Sequence, residues 1–277
     1  MPSSPGPPAP GTRYALSSEQ IAYYRARGHI LLRSVVARDE VEGLLGPLDR
    51  VIDTVSARND AQGRIDDYSS LFRQVTNVWR LDPALGEFVC RERFARIAAE
   101  LMGARGVRLY HDQALYKPPG GKPTPWHQDQ FYWPLDTPQT VTMWIPLVDL
   151  KREMGTMIFA SGSHTGGMLV DTSISDASNR ALERVVHDRK WETASDDLNA
   201  GDATFHAGWT VHSAHPNTSG GMRKVLTVIY FADGARVLEP GNEFRRADLE
   251  AFLTGCKPGG PAGGSLNPIL YKRGSPG

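Results

Sequence analysis

Two residues of metal-binding type lie two positions apart in the segment WHQD, which contains His127 and Asp129. A third histidine, His212, follows in the segment HSAHPNTS. Two imidazoles and one carboxylate on one side of a metal suit iron(II), because these mixed donors leave other coordination positions open. Side chains two apart on a strand point to the same side. His127 and Asp129 are therefore predicted to face one interior.

Arg223 adds a cation to this set of candidate metal ligands. The pair His127 and Asp129 is a weak signal by itself, since H-x-D matches arise easily by chance. A dicarboxylate co-substrate that chelates a metal at one end needs a cation at the other. Arginine serves best, because it binds a carboxylate through two hydrogen bonds and keeps its charge. His212 precedes Arg223 by eleven residues, and this spacing predicts ligand and cation on neighbouring strands of a barrel.

Short strands are the elements that would carry these residues. Runs rich in β-branched and aromatic residues, bounded by Gly, Pro, Asp and Ser, predict strands. These runs are 107–117, 140–148, 156–160, 202–206 and 224–231. Several short strands separated by turns are typical of a closed or sandwiched β-architecture.

The first hundred residues are predicted to be mainly helical. Ser17 and Gln20 have the spacing of a capping box, and Gly28 ends that short helix. A second helix begins near Asp39 with apolar residues on one stripe, and Pro47 is predicted to kink it.

Two further helical regions and two tails complete the predicted organisation. A third helix is predicted over 83–103, and the polar region 171–197 is predicted to be a lid or an inserted helix. The Pro/Ser/Gly-rich residues 1–15 are predicted to be a disordered tail. Residues 255–277, rich in Gly and Pro, are predicted to be a loosely held tail, which leaves 16–254 as a single domain.

Composition argues against several classes of function. Lys plus Arg and Asp plus Glu both number 31 in 277 residues, so no net charge attracts nucleic acid or an anionic membrane surface. No apolar stretch is long enough to span a bilayer. Cys90 and Cys256 belong to no metal-binding pattern and suit a reducing cytoplasm. A small-molecule substrate is the predicted partner, and the oligomeric state stays open.

Three segments resemble the phytanoyl-CoA dioxygenase (PhyH) family of iron(II)- and 2-oxoglutarate-dependent oxygenases: WHQD, GTMIFASGSH at 155–164, and HSAHPNTS followed by Arg223. The resemblance covers about residues 16 to 235. It implies a mainly β fold with flanking α: a double-stranded β-helix (jelly-roll, cupin-like) core at about 105–235 with the N-terminal helices packed outside. It also implies iron(II), 2-oxoglutarate and O2, with oxidation of a C–H bond.

The same resemblance assigns residue roles. His127, Asp129 and His212 become the iron ligands, and Arg223 becomes the partner of the distal carboxylate of 2-oxoglutarate. Further co-substrate contacts are expected from Gln113, Trp144 and Gln74.

One position departs from the family pattern. The family usually has Ser or Thr two residues after the distal histidine, where this chain has Ala214 with Ser213 beside it. Either Ser213 or a water replaces that co-substrate bond, or the bond is absent.

Other histidines and aromatic residues have competing interpretations. His206 and His215 compete with His212 for the metal, but the distance to Arg223 favours His212. Trp133, Trp209, Phe131 and His206 are predicted to shape the substrate pocket, although packing in the core is the simpler reading of the aromatic residues. Lys117 is read as a solvated loop lysine and His111 as an ordinary histidine.

Three functional hypotheses follow. The first is an oxygenase for a small molecule, in bacterial secondary-metabolite tailoring, by hydroxylation, radical cyclisation, epimerisation or desaturation. Asp129 argues against halogenation, because related halogenases lack this carboxylate. The second is a cupin-like divalent-metal enzyme with hydrolytic or isomerase chemistry that does not use O2. The third is a non-catalytic binder. Arg223 favours the first, since hydrolysis does not require it.

Overall fold

The computed structural model describes residues 14–61 and 73–274. Eleven strands form its framework: β1 (His29–Leu32), β2 (Arg73–Thr76), β3 (Gly106–Lys117), β4 (Thr124–His127), β5 (Thr140–Pro146), β6 (Met157–Ala160), β7 (Thr193–Ala194), β8 (Ala203–Ala207), β9 (His212–Ala214), β10 (Arg223–Ala232) and β11 (Ile269–Lys272). They build two antiparallel sheets. The seven-stranded sheet has the order β1-β8-β5-β10-β3-β11, with β2 also pairing with β3, and the four-stranded sheet has the order β4-β9-β6-β7.

The described residues form six α-helices: α1 (Ser18–Arg27), α2 (Arg38–Ala61), α3 (Pro83–Val89), α4 (Glu92–Met102), α5 (Asp176–Asp188) and α6 (Glu243–Phe252). The largest apolar cluster joins side chains of α2 and α4, such as Ile52 and Leu101, to side chains of β3 and β10, such as Leu109 and Val228. The N-terminal helices therefore pack outside the seven-stranded sheet. The predicted mainly β fold with flanking helices is confirmed.

Strand predictions succeeded for every strand of five or more residues and for the four-residue β6. All five predicted runs coincide with β3, β5, β6, β8 and β10. The sequence analysis missed β1, β2, β4, β7, β9 and β11, which have two to four residues each. An alternating pattern needs more positions than these strands provide.

The start of α1 was predicted correctly and the third helix was not. Ser17 Oγ accepts from the Gln20 backbone N–H, the Gln20 side chain accepts from Ser17 N–H, and Gly28 ends the helix at φ 77°. The predicted helix over 83–103 is two helices, α3 and α4, separated at Cys90 and Arg91. No Gly or Pro marks that break, and buried apolar residues continue on both sides of it.

The two remaining helical predictions had different outcomes. The region 171–197 contains α5, which agrees with an inserted helix. Helix α2 continues through Pro47, and the kink there stays a prediction. No described helix is both long enough and apolar enough to cross a membrane.

The C-terminal segment is not the loosely held tail that its Gly and Pro content suggested. Strand β11 pairs with β3, with Tyr271 opposite Val107. Asn267 is fully buried, and its Nδ2 donates to the carbonyls of Leu109, Tyr110 and Phe252 at 3.1, 3.1 and 3.0 Å. The prediction overlooked one short apolar run and one buried amide. Residues 1–13 of the predicted N-terminal tail lie outside the described residues, whereas Tyr14 is buried.

We expect Asn267→Ala to lower the free energy of unfolding by roughly 2 kcal/mol or more, because buried carbonyls lose their donor. Urea unfolding measures the change. Ser265→Ala, an exposed neighbour, is the matched control and should leave stability unchanged. Equal stabilities of the Asn267→Ala and wild-type proteins would instead support the prediction that the C-terminal segment is loosely held.

Candidate metal centre

Three side chains, His127, Asp129 and His212, meet in the space between the two sheets. His127 and His212 are directly opposite each other on the paired strands β4 and β9. Asp129 Oδ1 lies 3.5 Å from Nε2 of His127 and 3.6 Å from Nε2 of His212. One ligand atom from each residue lies within 4.8 Å of the others. The sequence prediction therefore identified three residues that the fold brings together.

The backbone sets the protonation of both imidazoles. Nδ1 of His127 is 2.8 Å from the carbonyl oxygen of Pro125, and Nδ1 of His212 is 2.9 Å from that of Thr210. A carbonyl only accepts hydrogen bonds, so Nδ1 carries the proton in each neutral ring, and the lone pair of Nε2 is the one that can bind a metal. This is the tautomer that binds a metal, and second-shell bonds of this kind hold the ring in its ligating orientation. The three residues thus fit a divalent metal.

The Asp129 carboxylate is oriented from its other oxygen. Oδ2 accepts a hydrogen bond from Thr142 Oγ1 at 3.0 Å and lies 3.2 Å from Nε2 of His206. Thr142 and His206 are cross-strand partners on β5 and β8. Burial raises the pKa of Asp129, but the surrounding histidines outweigh burial and hold that pKa well below its usual range. The carboxylate is therefore anionic, with Oδ1 turned to the two histidines.

A cavity of about 410 Å³ adjoins the three residues. Arg223, which is 2% exposed, contributes to its wall, and its guanidinium carbon is 5.7 Å from the centre of a Trp144 ring. Nη1 of Arg223 donates to the carbonyl of Gly155 at 2.9 Å. Gly155 has φ 93°, and a Cβ there would lie 2.8 Å from the backbone oxygen of His215. The chain can pass this point only as glycine.

The predicted strand placement of Arg223 was wrong. His212 lies on β9 in the four-stranded sheet, whereas Arg223 begins β10 in the seven-stranded sheet. The segment between them crosses from one sheet to the other, so the two strands are consecutive but not paired. Both side chains still line one cavity.

Lys117 is buried, in contrast to the solvated loop lysine expected from the sequence. It lies opposite Arg223 on β3, and its Nζ donates to the His215 carbonyl at 3.1 Å and to Thr124 Oγ1 at 3.3 Å. Burial and the Arg223 charge lower the pKa of Lys117 to about 7. Lys117 is therefore only partly charged near neutral pH, and Arg223 is the permanent cation of this corner.

The remaining residues predicted from the family resemblance also face the cavity. These are Gln74, Gln113, Trp144 and Ser213, together with Ala214. Gln74 lies on β2, and its Nε2 donates to Gln113 Oε1 on β3. Pairing of β2 with β3 brings these two distant amides together.

Two of the four residues predicted to shape the substrate pocket line the cavity. Trp133 and His206 line the cavity, although His206 also contacts Asp129. Phe131 and Trp209 do not line it. The alternation assumed for Phe131 fails because β4 ends at His127 and a 3-10 helix begins at Asp129.

Sequence reasoning missed one wall of the cavity. Helix α6 contributes Phe244, Asp248 and Phe252, and His111 on β3 stacks on Phe252 with ring centres 4.0 Å apart. His111 had been read as ordinary. One local signal was available: the Asn242 side chain accepts from the Arg245 backbone N–H at 2.8 Å and caps the start of α6.

Two facing antiparallel sheets around a His–Asp–His cluster define a jelly-roll metalloprotein. The model of the phytanoyl-CoA dioxygenase (PhyH) family matches residues 24–225, and the chain belongs to this family. The family predicted from the sequence is thereby confirmed. The chain is a non-haem iron oxygenase of the 2-oxoglutarate-dependent class, and the hydrolytic and non-catalytic hypotheses fall away.

Solved structures and relatives agree with this class. The 2-oxoglutarate-dependent carbocyclase SnoK from nogalamycin biosynthesis is 26% identical, covers 94% of this chain and all of its own, and has a TM-score of 0.76. The epimerase SnoN, solved with Fe3+, 2-oxoglutarate and nogalamycin RO, is 26% identical, with 91% and 98% covered and a TM-score of 0.71. A probable hypophosphite dioxygenase of Stutzerimonas stutzeri is 24% identical over 79% of each chain.

We expect Thr142→Val to weaken iron(II) binding by roughly tenfold, because the orienting bond to Asp129 is lost. Anaerobic equilibrium dialysis with iron(II) measures the affinity. Thr227→Val removes a hydroxyl from the same cavity without touching Asp129 and is the control. Equal losses in both variants would contradict an orienting role for Thr142.

Proposed function

We propose that this oxygenase oxidises a C–H bond of a small organic molecule in bacterial secondary-metabolite tailoring. Support comes from SnoK and SnoN, both from nogalamycin biosynthesis, which match more than nine tenths of the chain. One of those relatives is a carbocyclase and the other an epimerase. Hydroxylation, radical cyclisation, epimerisation and desaturation are thus all outcomes that the proposal includes.

In this proposal His127, Asp129 and His212 bind iron(II). The observation that carries it is the hydrogen bonding of the two rings: both Nδ1 atoms are engaged by backbone carbonyls, and both Nε2 atoms lie near Asp129 Oδ1. The bound iron, with 2-oxoglutarate and oxygen, supplies the oxidation of the C–H bond. Thr142 and His206 act through Asp129, because they hold its other oxygen.

Arg223 is proposed to bind the distal carboxylate of 2-oxoglutarate. A buried guanidinium on a cavity wall suits a carboxylate, because the charged hydrogen bonds are strong where water is scarce. Lys117 lies opposite it on β3, and Gln113, Gln74 and Trp144 complete the surroundings. Ala214 has no hydroxyl to offer, so we assign to Ser213, which also lines the cavity, the bond that the family draws from Ser or Thr.

Aromatic side chains are proposed to bind the substrate and limit the entry of water. Trp133, Tyr132, Phe244 and Phe252 line the cavity, and Tyr132 accepts from the Ile174 backbone N–H at 3.0 Å. That bond ties the segment before α5 to the cavity rim. Apolar lining of this kind both binds an organic ligand and protects the reaction from solvent.

A cytoplasmic location is part of the proposal. It rests on cysteine usage, because Cys90 and Cys256 are both free thiols and disulfides are rare in the reducing cytoplasm.

Anaerobic addition of iron(II) and then 2-oxoglutarate tests the metal assignment. We expect the weak visible charge-transfer band of the chelate in the wild-type protein and its loss in His212→Ala. His215→Ala is the matched control: His215 competed with His212 on sequence grounds but lies outside the metal cluster, so this variant should keep the band. No band in the wild type, or an equal band in His212→Ala, would refute the assignment.

Arg223→Met should abolish the preference for a dicarboxylate. We expect the wild-type iron protein to bind 2-oxoglutarate about 100-fold more tightly than 2-oxopentanoate, which lacks the distal carboxylate, since a buried charged pair contributes about 3 kcal/mol. The variant should bind both acids with similar, weak affinity. The same visible band reports both titrations, and retained discrimination in Arg223→Met would assign the carboxylate to another residue.

A further inference from the structure

The cavity contains a second carboxylate, Asp248 of α6, which the metal cluster does not use. Its position is well defined, because α6 is attached to the core on both sides of it. Arg245 Nε donates to the Phe131 carbonyl at 3.0 Å, and Phe252 stacks on His111. Between these contacts, Tyr110 OH donates to Asp248 Oδ2 at 2.8 Å. Tyr110 engages one oxygen and leaves Oδ1 for a ligand.

Asp248 has a hydroxyl donor but no paired cation among the described residues. Within residues 14–61 and 73–274, no Lys, Arg or His side chain forms an ion pair with it, and Tyr110 is its hydrogen-bond donor. Burial, opposed by the Tyr110 bond and assisted by the charge of Asp129, raises the pKa of Asp248 to about 7. A desolvated carboxylate without a cation costs free energy, and a cationic ligand in the cavity would offset that cost.

A comparison with Asp112 separates this carboxylate from a structural one. Asp112 is fully buried whereas Asp248 is half-buried, and burial raises the pKa of Asp112, like that of Asp248, to about 7. It accepts, however, from the Trp79 backbone N–H at 3.4 Å and does not line the cavity. Asp112 thus joins two parts of the backbone. Asp248 accepts from a side chain and faces open space, which is the arrangement of a ligand-binding group.

We propose that Asp248 binds a protonated amine of the substrate and thereby selects amine-bearing molecules for oxidation. The proposal rests on the proposed function, since it takes the cavity beside the metal centre as the substrate pocket. The surrounding rings fit such a ligand as well. Tyr132, Phe244 and Phe252 line the same cavity, and aromatic faces attract organic ammonium groups. Asp248 supplies the charge and the rings supply the apolar contact.

Binding of benzylamine and of benzyl alcohol to the metal-free protein tests this proposal. The two probes have the same ring and similar size but differ in charge at neutral pH. We expect the wild-type protein to bind benzylamine about tenfold more tightly, because a charged hydrogen bond contributes about 1.5 kcal/mol or more. Asp248→Asn should remove this preference. Ligand-observed NMR titration measures both affinities, and thermal unfolding checks that the variant is folded.

Glu250→Gln is the matched control, because it makes the same charge change at an exposed position of α6 and should keep the preference for benzylamine. Absence of benzylamine binding to the wild type, equal affinity for both probes, or an unchanged preference in Asp248→Asn would each overturn the proposal. The iron and 2-oxoglutarate band is measured separately. If the Asp248→Asn variant shows this band but the wild-type protein does not prefer benzylamine, the role of Asp248 is refuted and the proposed function is left intact.

Discussion

The Asp129 carboxylate is the interaction on which the centre of this fold depends. One of its oxygens faces His127 and His212, which belong to the four-stranded sheet, and the other contacts Thr142 and His206 of the seven-stranded sheet. A single half-buried anion therefore lies between both layers of the jelly roll. The geometry of the ligand cluster consequently depends on the relative position of the two sheets, because moving either sheet would move a partner of this carboxylate.

The sequence predicted those residues of the site whose types and spacing are distinctive. His127, Asp129, His212 and Arg223 could be found because they have a distinctive chemistry and spacing that survive without any knowledge of the strand pairing. The wrong inference about neighbouring strands shows the limit. The spacing along the chain indicates that a turn lies between His212 and Arg223. The sheet that each strand joins, however, depends on pairing with residues more than fifty positions away.

Side chains whose role depends only on tertiary packing were invisible in the sequence. Phe131 was assigned by alternation, yet the backbone leaves the strand conformation before it. Asp248 carries no motif, and its importance arises when α6 packs beside Tyr110 and His111. Strands supply His127, His212 and Arg223, the 3-10 helix after β4 supplies Asp129, and a helix outside the two sheets adds one wall of the cavity. The residues proposed to bind the metal and those proposed to recognise the substrate thus belong to different parts of the chain.

The pairing of β11 with β3 has a consequence for biosynthesis. Residues 106–108 are synthesised about 160 residues before β11, the strand that pairs with them. Synthesis proceeds at about 5–20 residues per second. During that interval the cavity lacks both α6 and the amide of Asn267 that joins Leu109 and Tyr110 to it. Contacts so distant in sequence form slowly. The cavity wall that α6 contributes is therefore among the last parts of the molecule to form, and the edge of β3 at residues 106–108 needs protection until then.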